Sequence, residues 1–245
     1  MPSQPSWILF LTILAAVFCV SAQTNTPDLN EIAGDYITSN GFTGYRITLK
    51  ANGTYLNQYF ADCCRTWKPE QGTFSVSANA IRFITTKKKV SEKHFVRWGD
   101  RMYLIDDYKS FAAAINSGVE PRATIISEDA LTDGVYIRRG HEKLPVSGLP
   151  ITSADVIYLF SAPLIQVRIT KTEQRGPDFF AEVDKGSADG LGIGMCFFER
   201  KPRLDYDPVM CVVSMREHAA TLNREYSSGW PRFTSGQELL NKLQK

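Results

Sequence analysis

From Asn30 the chain turns to short runs that alternate apolar and polar side chains with a period of two, and turn-forming residues break these runs at short intervals. Tyr45, Ile47 and Leu49 alternate with Arg46, Thr48 and Lys50. Ala51-Asn52-Gly53 then supplies the positive-φ residues of a tight turn, and Thr54 to Phe60 returns with Tyr55 and Tyr59 on one face. A second pair runs from Gly72 to Val76, through Ser-Ala-Asn, and back from Ile81 to Thr85. A third has His94 to Trp98, the turn Gly99-Asp100, and Arg101 to Ile105. A two-residue period puts every second side chain on one face, so each hairpin presents an apolar face to be covered. Three such pairs close over a common core as a meander or small barrel.

One segment departs from this period. Tyr108, Phe111, Ala112 and Ile115 recur at helical spacing after Asp106-Asp107, which can cap, and Asn116 and Gly118 end the run. The spacing predicts one helix whose stripe packs on the sheet, lining a ligand cavity being the less common use. Residues 140–150 (GHEKLPVSGLP) hold two prolines and two glycines and read as a linker. Beyond them comes a short helical or irregular stretch, Ser153 to Ser161. Strand-like runs follow at Pro163–Thr172, Phe179–Asp184, Met195–Glu199, Val209–Met215 and Thr221–Tyr226, with an amphipathic piece from Gly236 to Leu243. The expected class is all-β with minor α: an antiparallel meander or lipocalin-like half-barrel over residues 29–139, and a small β-barrel with a C-terminal tail over 151–245.

Residues 1–22 read as a secretory signal. Trp7 to Val20 is apolar except for Thr12, and fourteen residues at ~1.5 Å rise span about 21 Å, short of a ~30 Å hydrocarbon core. Val20-Ser21-Ala22 places small residues for cleavage near Ala22. The n-region lacks Lys and Arg, and a lipoprotein reading through Cys19 would put Phe18 where a small residue is needed. The expectation is a secreted or periplasmic product of about 223 residues with no transmembrane segment.

Export bears on the cysteines, because disulfides persist in oxidising compartments. Four follow the signal, and four permit three connectivities. If the runs around Cys196 and Cys211 pair as a hairpin about Arg203-Leu204, the two face each other at ~4.5–5.5 Å between Cα atoms. A bond there would contribute ~3 kcal/mol through loop entropy, two buried thiols being the alternative. Cys63-Cys64 permits a vicinal disulfide, bridges to the other two, or a redox or soft-metal pair. The C-x-x-C spacing and the four ligands of zinc are both missing, so structural pairing is favoured.

Chemistry-bearing motifs are scarce. Twenty-eight basic against 26 acidic residues give a net charge of +2, with no field that would favour nucleic acid. Lys87-Lys88-Lys89, with Lys93, His94 and Arg97, could touch phosphate or anionic polysaccharide, but a lysine run usually solvates a hairpin loop. His94, His141 and His218 are scattered, so neither a metal cluster nor a cofactor site is expected. No G-x-S-x-G elbow is present. Asp106-Asp107 is explained by a helix N-terminus without any reaction. Asn52-Gly53-Thr54 is a glycosylation sequon that also serves its turn. The glycines of residues 181–195 match neither the dinucleotide fingerprint nor the P-loop, and read as a wide turn between strands.

That string, V-D-K-G-S-A-D-G-L-x-x-G-M from Val183 to Met195, resembles a segment of the β-barrel modules of bacterial envelope proteins, among them the rod-shape-determining scaffold protein and flagellar assembly factors. The resemblance implies a barrel used for assembly or surface contact and carries no catalytic residues. Gly34-Asp35-Tyr36 and Gly72-Thr73-Phe74 resemble lipocalin strand openings. The reading that results is an exported, non-catalytic protein of the bacterial envelope or exterior that binds a protein partner or cell-wall polymer. Two rivals stand beside it: a lipocalin-like carrier of a small apolar ligand, with Tyr45, Tyr55, Phe74, Phe83 and Trp98 as ligand or core aromatics, and a secreted hydrolase.

Overall fold

A computed structural model describes residues 27–39, 43–61, 68–118, 134–176, 178–199, 209–225 and 233–242. The signal segment, Cys63-Cys64 and the apex at Arg203-Leu204 lie outside these residues. The chain forms two closed antiparallel barrels, the all-β, two-module class expected.

The first barrel is an eight-stranded meander: β1 (Gly34–Ser39), β2 (Thr43–Leu49), β3 (Thr54–Ala61), β4 (Glu70–Ser77), β5 (Ala80–Thr85), β6 (Val90–Trp98), β7 (Arg101–Ile105) and β8 (Val135–Arg138). All three expected hairpins are present, with Leu49 facing Tyr55, Ser77 facing Ala80, and Trp98 facing Arg101. Gly53 adopts φ +77°, and Asn52 Oδ1 accepts from the Thr54 amide at 3.1 Å and its hydroxyl at 2.7 Å. The half-barrel reading is corrected. β1 and β8 join, pairing Tyr36 with Arg138 and Ile37 with Ile137, so the sheet closes and has no free edge to protect.

A short helix α1 (Leu29–Ile32), capped by Asp28, plugs one end of this barrel. Its Ile32 is buried, and the Tyr36 hydroxyl donates to the Ile32 carbonyl at 2.9 Å. Arg138 donates to the carbonyls of Glu31 (2.9 Å) and Ala33 (2.6 Å), while Arg97 pairs with the Glu31 carboxylate. The Arg138 bonds satisfy backbone carbonyls at the end of a short helix that would otherwise lack partners.

The second barrel uses β9 (Gln166–Arg175), β10 (Asp178–Val183), β11 (Cys196–Glu199), β12 (Val209–Met215), β13 (Ala220–Glu225) and β14 (Glu238–Leu240), in the order β10-β13-β12-β11-β14-β9 and back to β10. The amphipathic C-terminal piece contributes β14, the strand that bridges β11 and β9. Cys196 faces Cys211, and a disulfide joins them with Cα atoms 4.0 Å apart.

Helix α2 (Tyr108–Asn116) begins where expected, with Asp107 accepting from the Ser110 amide at 2.8 Å. Its stripe packs between the barrels. Phe111 touches Tyr103 and Trp98 on the outer wall of the first, and Phe160 of helix α3 (Tyr158–Ser161) beside the second. A single apolar cluster therefore runs from Val96, Tyr103, Ile105, Val135 and Ile137 through Phe111 into the second interior at Val167, Ile169, Phe197 and Val212. Residues 140–150 contain no strand or helix, yet they are tied to the β6–β7 turn. Arg101 Nε donates to the Leu144 carbonyl, the Asp100 amide to Pro145, and Trp98 Nε1 to Gly148 at 3.1 Å. Gly99, at φ +58°, lies so close to the backbone of Pro145 to Ser147 that a Cβ would collide with it.

Candidate functional site

The first barrel has an aromatic floor and a polar mouth. Facing residues share a side of the sheet, so the register fixes which side chains point inward. In the lower interior stand Tyr36, Ile47, Leu49, Tyr55, Phe74, Ile81, Phe83, Phe95 and Leu104, all buried. Tyr55 meets Phe83 edge-on at 4.9 Å between ring centroids, and Phe74 lies 6.3 Å from Phe83. Three of the sequence-derived aromatics thus form one packed group. Trp98 is not among them: it lies on the outer wall, against Phe111. Tyr45 occupies an inward position one layer above the floor and remains 45% exposed, whereas Tyr55 is 4% exposed.

The mouth lies at the end opposite α1. Tyr45 faces both Thr38 and Tyr59 in register, and the two tyrosine rings meet at 5.2 Å and 57°. Asn57 faces Glu70 on the next strand. The Glu70 carboxylate accepts from the Tyr55 hydroxyl at 3.2 Å. Burial, reinforced by this carboxylate, pushes the Tyr55 phenol up to about 12, so it stays a donor at neutral pH. Asn57 Oδ1 is shielded and meets no hydrogen-bond partner. Across the mouth, Lys93 is 15% exposed, pairs with Asp106, and holds its ammonium 4.3 Å from the centre of the Tyr136 ring. Sequence reasoning singled out Tyr45 and Tyr55 but missed Asn57, Glu70 and Tyr136. Only the register, which places Glu70 beside Asn57, assembles them.

The remaining motifs fall in turns, ion pairs and ring contacts. Lys87, Lys88 and Lys89 form the exposed β5–β6 turn, while Lys93 and Arg97 are committed to ion pairs. His94 stacks on Tyr108 at 4.6 Å, His141 Nδ1 lies 3.0 Å from the Asp100 carbonyl, and His218 pairs with Glu217 on an exposed turn. Among the described residues no group of three His, Cys, Asp or Glu side chains is placed to hold a metal. In the glycine string a 3₁₀ turn (Ser187–Asp189) follows β10, with Gly190 and Gly194 at φ +86° and +83°. The Ser187 and Ala188 amides donate to the carbonyls of Arg216 and Glu217, both at 2.9 Å. Those donors hold the neighbouring β12–β13 turn and are therefore taken. A crevice of about 10 Å³ between α2 and β11, lined in part by Lys109, Asn116 and Cys196, has room for about one water.

Fold and mouth together define a two-barrel β protein, stapled by one disulfide in its second barrel. No protein-family model matches the chain, and no curated protein matches it. Among solved structures it is similar to the Cpx pathway activator NlpE from Escherichia coli at 12% identity, over 69% of this chain and 75% of that one, with a TM-score of 0.22. At that score the likeness carries no argument. Among the described residues no helix is long and apolar enough to cross a membrane.

Proposed function

We propose that this is an exported, non-catalytic binding protein of the bacterial envelope or exterior, and that the mouth of the first barrel is its contact site. The observation that carries this reading is the pairing of a packed aromatic floor with a polar, aromatic rim. Ligand sites recur in the mouths of β-barrels, and here the rim presents two tyrosine rings and a carboxylate together. An apolar carrier needs an open interior, and the space is filled by Tyr55, Phe74, Phe83 and their neighbours. A hydrolase needs a base beside a nucleophile, and the three histidines contact a tyrosine ring, a backbone carbonyl and an exposed glutamate instead.

The Cys196–Cys211 disulfide supports export, because such bonds persist outside the reducing cytosol. The second barrel, through the string from Val183 to Met195, is read as an assembly or contact module. The test exposes the immobilised mature chain to an envelope fraction and, separately, to purified cell-wall sacculi. Retention by the natural chain that is lost in a Tyr45→Ala, Glu70→Ala variant supports the reading. Failure to retain either material refutes it.

A further inference from the structure

We propose that the tip of the β5–β6 hairpin docks on an anionic membrane surface, with Lys87, Lys88 and Lys89 meeting lipid headgroups while Ile84 and Val90 enter the interface. The inference goes beyond the mouth reading, since it uses the turn and the outer wall of the barrel.

Three observations converge on this hairpin. Its tip extends past the neighbouring strand: β6 pairs with β7 only from His94, opposite Ile105, onward. Among the described residues, Val90 to Lys93 therefore have β5 as their one strand partner. Next, Ile84 and Val90 face each other across the hairpin and are 37% and 48% exposed. Phe83 belongs to the barrel interior, so its neighbour Ile84 lies on the outer wall. Single exposed aliphatic side chains are ordinary, but two side by side at a projecting tip form a small apolar patch.

The third observation is charge. Lys87, Lys88 and Lys89 are all exposed, and among the described residues none of them forms an ion pair. The other cations of the hairpin are matched: Arg82 faces Glu92, and Lys93 pairs with Asp106. Glu70, the carboxylate beside the turn, accepts from Tyr55 on the inner side, and one carboxylate leaves three lysines in excess. The chain's net charge of +2 thus hides a local basic cluster. Lys88 adopts φ +61°, where glycine or asparagine would carry less strain. Lysine stems can lie along Ile84 and Val90 while their ammonium groups reach outward to phosphates. An anionic membrane matches both halves of the tip, because its headgroups attract cations and its acyl boundary accepts aliphatic side chains. A soluble polyanion would use the lysines and leave the apolar pair in water.

The experiment co-sediments the mature chain with vesicles of phosphatidylcholine, alone or with about a third phosphatidylglycerol. The expected result is binding to the anionic vesicles at about 5 mM lipid and little to the neutral ones. Raising salt from about 0.1 M to about 0.5 M should weaken it. A Lys87→Gln, Lys88→Asn, Lys89→Gln variant, in which asparagine tolerates the left-handed backbone, should bind about tenfold or more weakly. An Ile84→Thr, Val90→Thr variant keeps the branching that suits a strand and should bind about threefold or more weakly. Both sites are exposed, and unchanged far-ultraviolet spectra confirm that the fold is intact. No binding to anionic vesicles overturns the proposal, as does equal binding to neutral ones or binding that ignores the lysine substitutions. If the Ile84→Thr, Val90→Thr chain binds as tightly as the natural one, charge alone is read. The membrane assignment then gives way to a soluble polyanion, which titration with dextran sulfate would show. Neither variant alters Tyr45 or Glu70, so retention by sacculi tests the mouth reading separately.

Discussion

Reducing the Cys196–Cys211 bond should lower the stability of the folded chain by about 3 kcal/mol. The bond spans a separation of 15 residues, and the loop-entropy relation gives about 3 kcal/mol for a loop of that length. The entropic account applies well here because both cysteines lie in paired strands at facing positions, with Cys211 fully buried. Reduction therefore leaves the native packing against Ala113 and Phe198 nearly unchanged and acts on the unfolded chain. For a protein of this size the loss corresponds to a fall in Tm of roughly 6–12 °C, at about 2–4 °C per kcal/mol. The assay is urea unfolding with and without a reductant, beside a Cys196→Ala, Cys211→Ala variant. The variant should lose about 3 kcal/mol less to reductant than the natural chain does, and should lie near or below the reduced natural chain. A reductant effect under about 1 kcal/mol would refute the loop-entropy argument. An equal effect on the variant would show that the reductant acts elsewhere.

Four further outcomes follow from the geometry. Phe111→Ala removes the ring that joins the two barrels and should cost about 3–5 kcal/mol in urea unfolding; a loss below about 1 kcal/mol would deny that the cluster is shared. Asp107→Ala removes the cap of α2 and should cost about 1 kcal/mol, read the same way. Ala78, held at φ +50° in the two-residue β4–β5 turn, should be replaced by Gly with a gain of up to about 1 kcal/mol, since glycine carries no Cβ penalty there. Burial, helped by the nearby Arg138, holds the His141 imidazole below its ordinary pKa. Its neutral form is favoured in the folded state, so its contribution is present above the unfolded pKa and is lost as pH falls through the folded one. NMR titration of the His141 ring should give the lowered value, and a His141→Gln chain should lose that part of the acid sensitivity.

Much of this architecture was legible because period-two alternation is a local code. The β5 segment Ala80 to Thr85 alternates buried and exposed positions as a one-sided strand should, and its partner β4 follows suit. The turns were readable for the same reason: Gly53 and Gly99 stand where φ is positive. Barrel closure was not legible, since the pairing of β1 with β8 joins Tyr36 to Arg138 across about a hundred residues, and no local pattern encodes a partner that distant. The junction was half-written. Arg101 to Ile105 and Val135 to Ile137 do not alternate, because both faces of β7 and β8 are covered, one by the barrel interior and the other by α2 and the second module. Such runs announce burial on both sides without naming what lies there.

The candidate site divides in the same way. Sequence alone determined that Tyr45 and Tyr55 share one face of a strand pair, because a two-residue period and a turn at Asn52-Gly53 leave no other register. It also determined that Cys196 and Cys211 can face each other, through the hairpin they share. Only tertiary structure decided that Tyr55 is sealed beneath the mouth while Tyr45 stays open at it, that Trp98 belongs to the outer wall, and that Glu70 stands beside Asn57. Those outcomes depend on how far each strand rises around a closed barrel and on which face meets the second module. That is long-range geometry, and a residue's neighbours along the chain do not contain it.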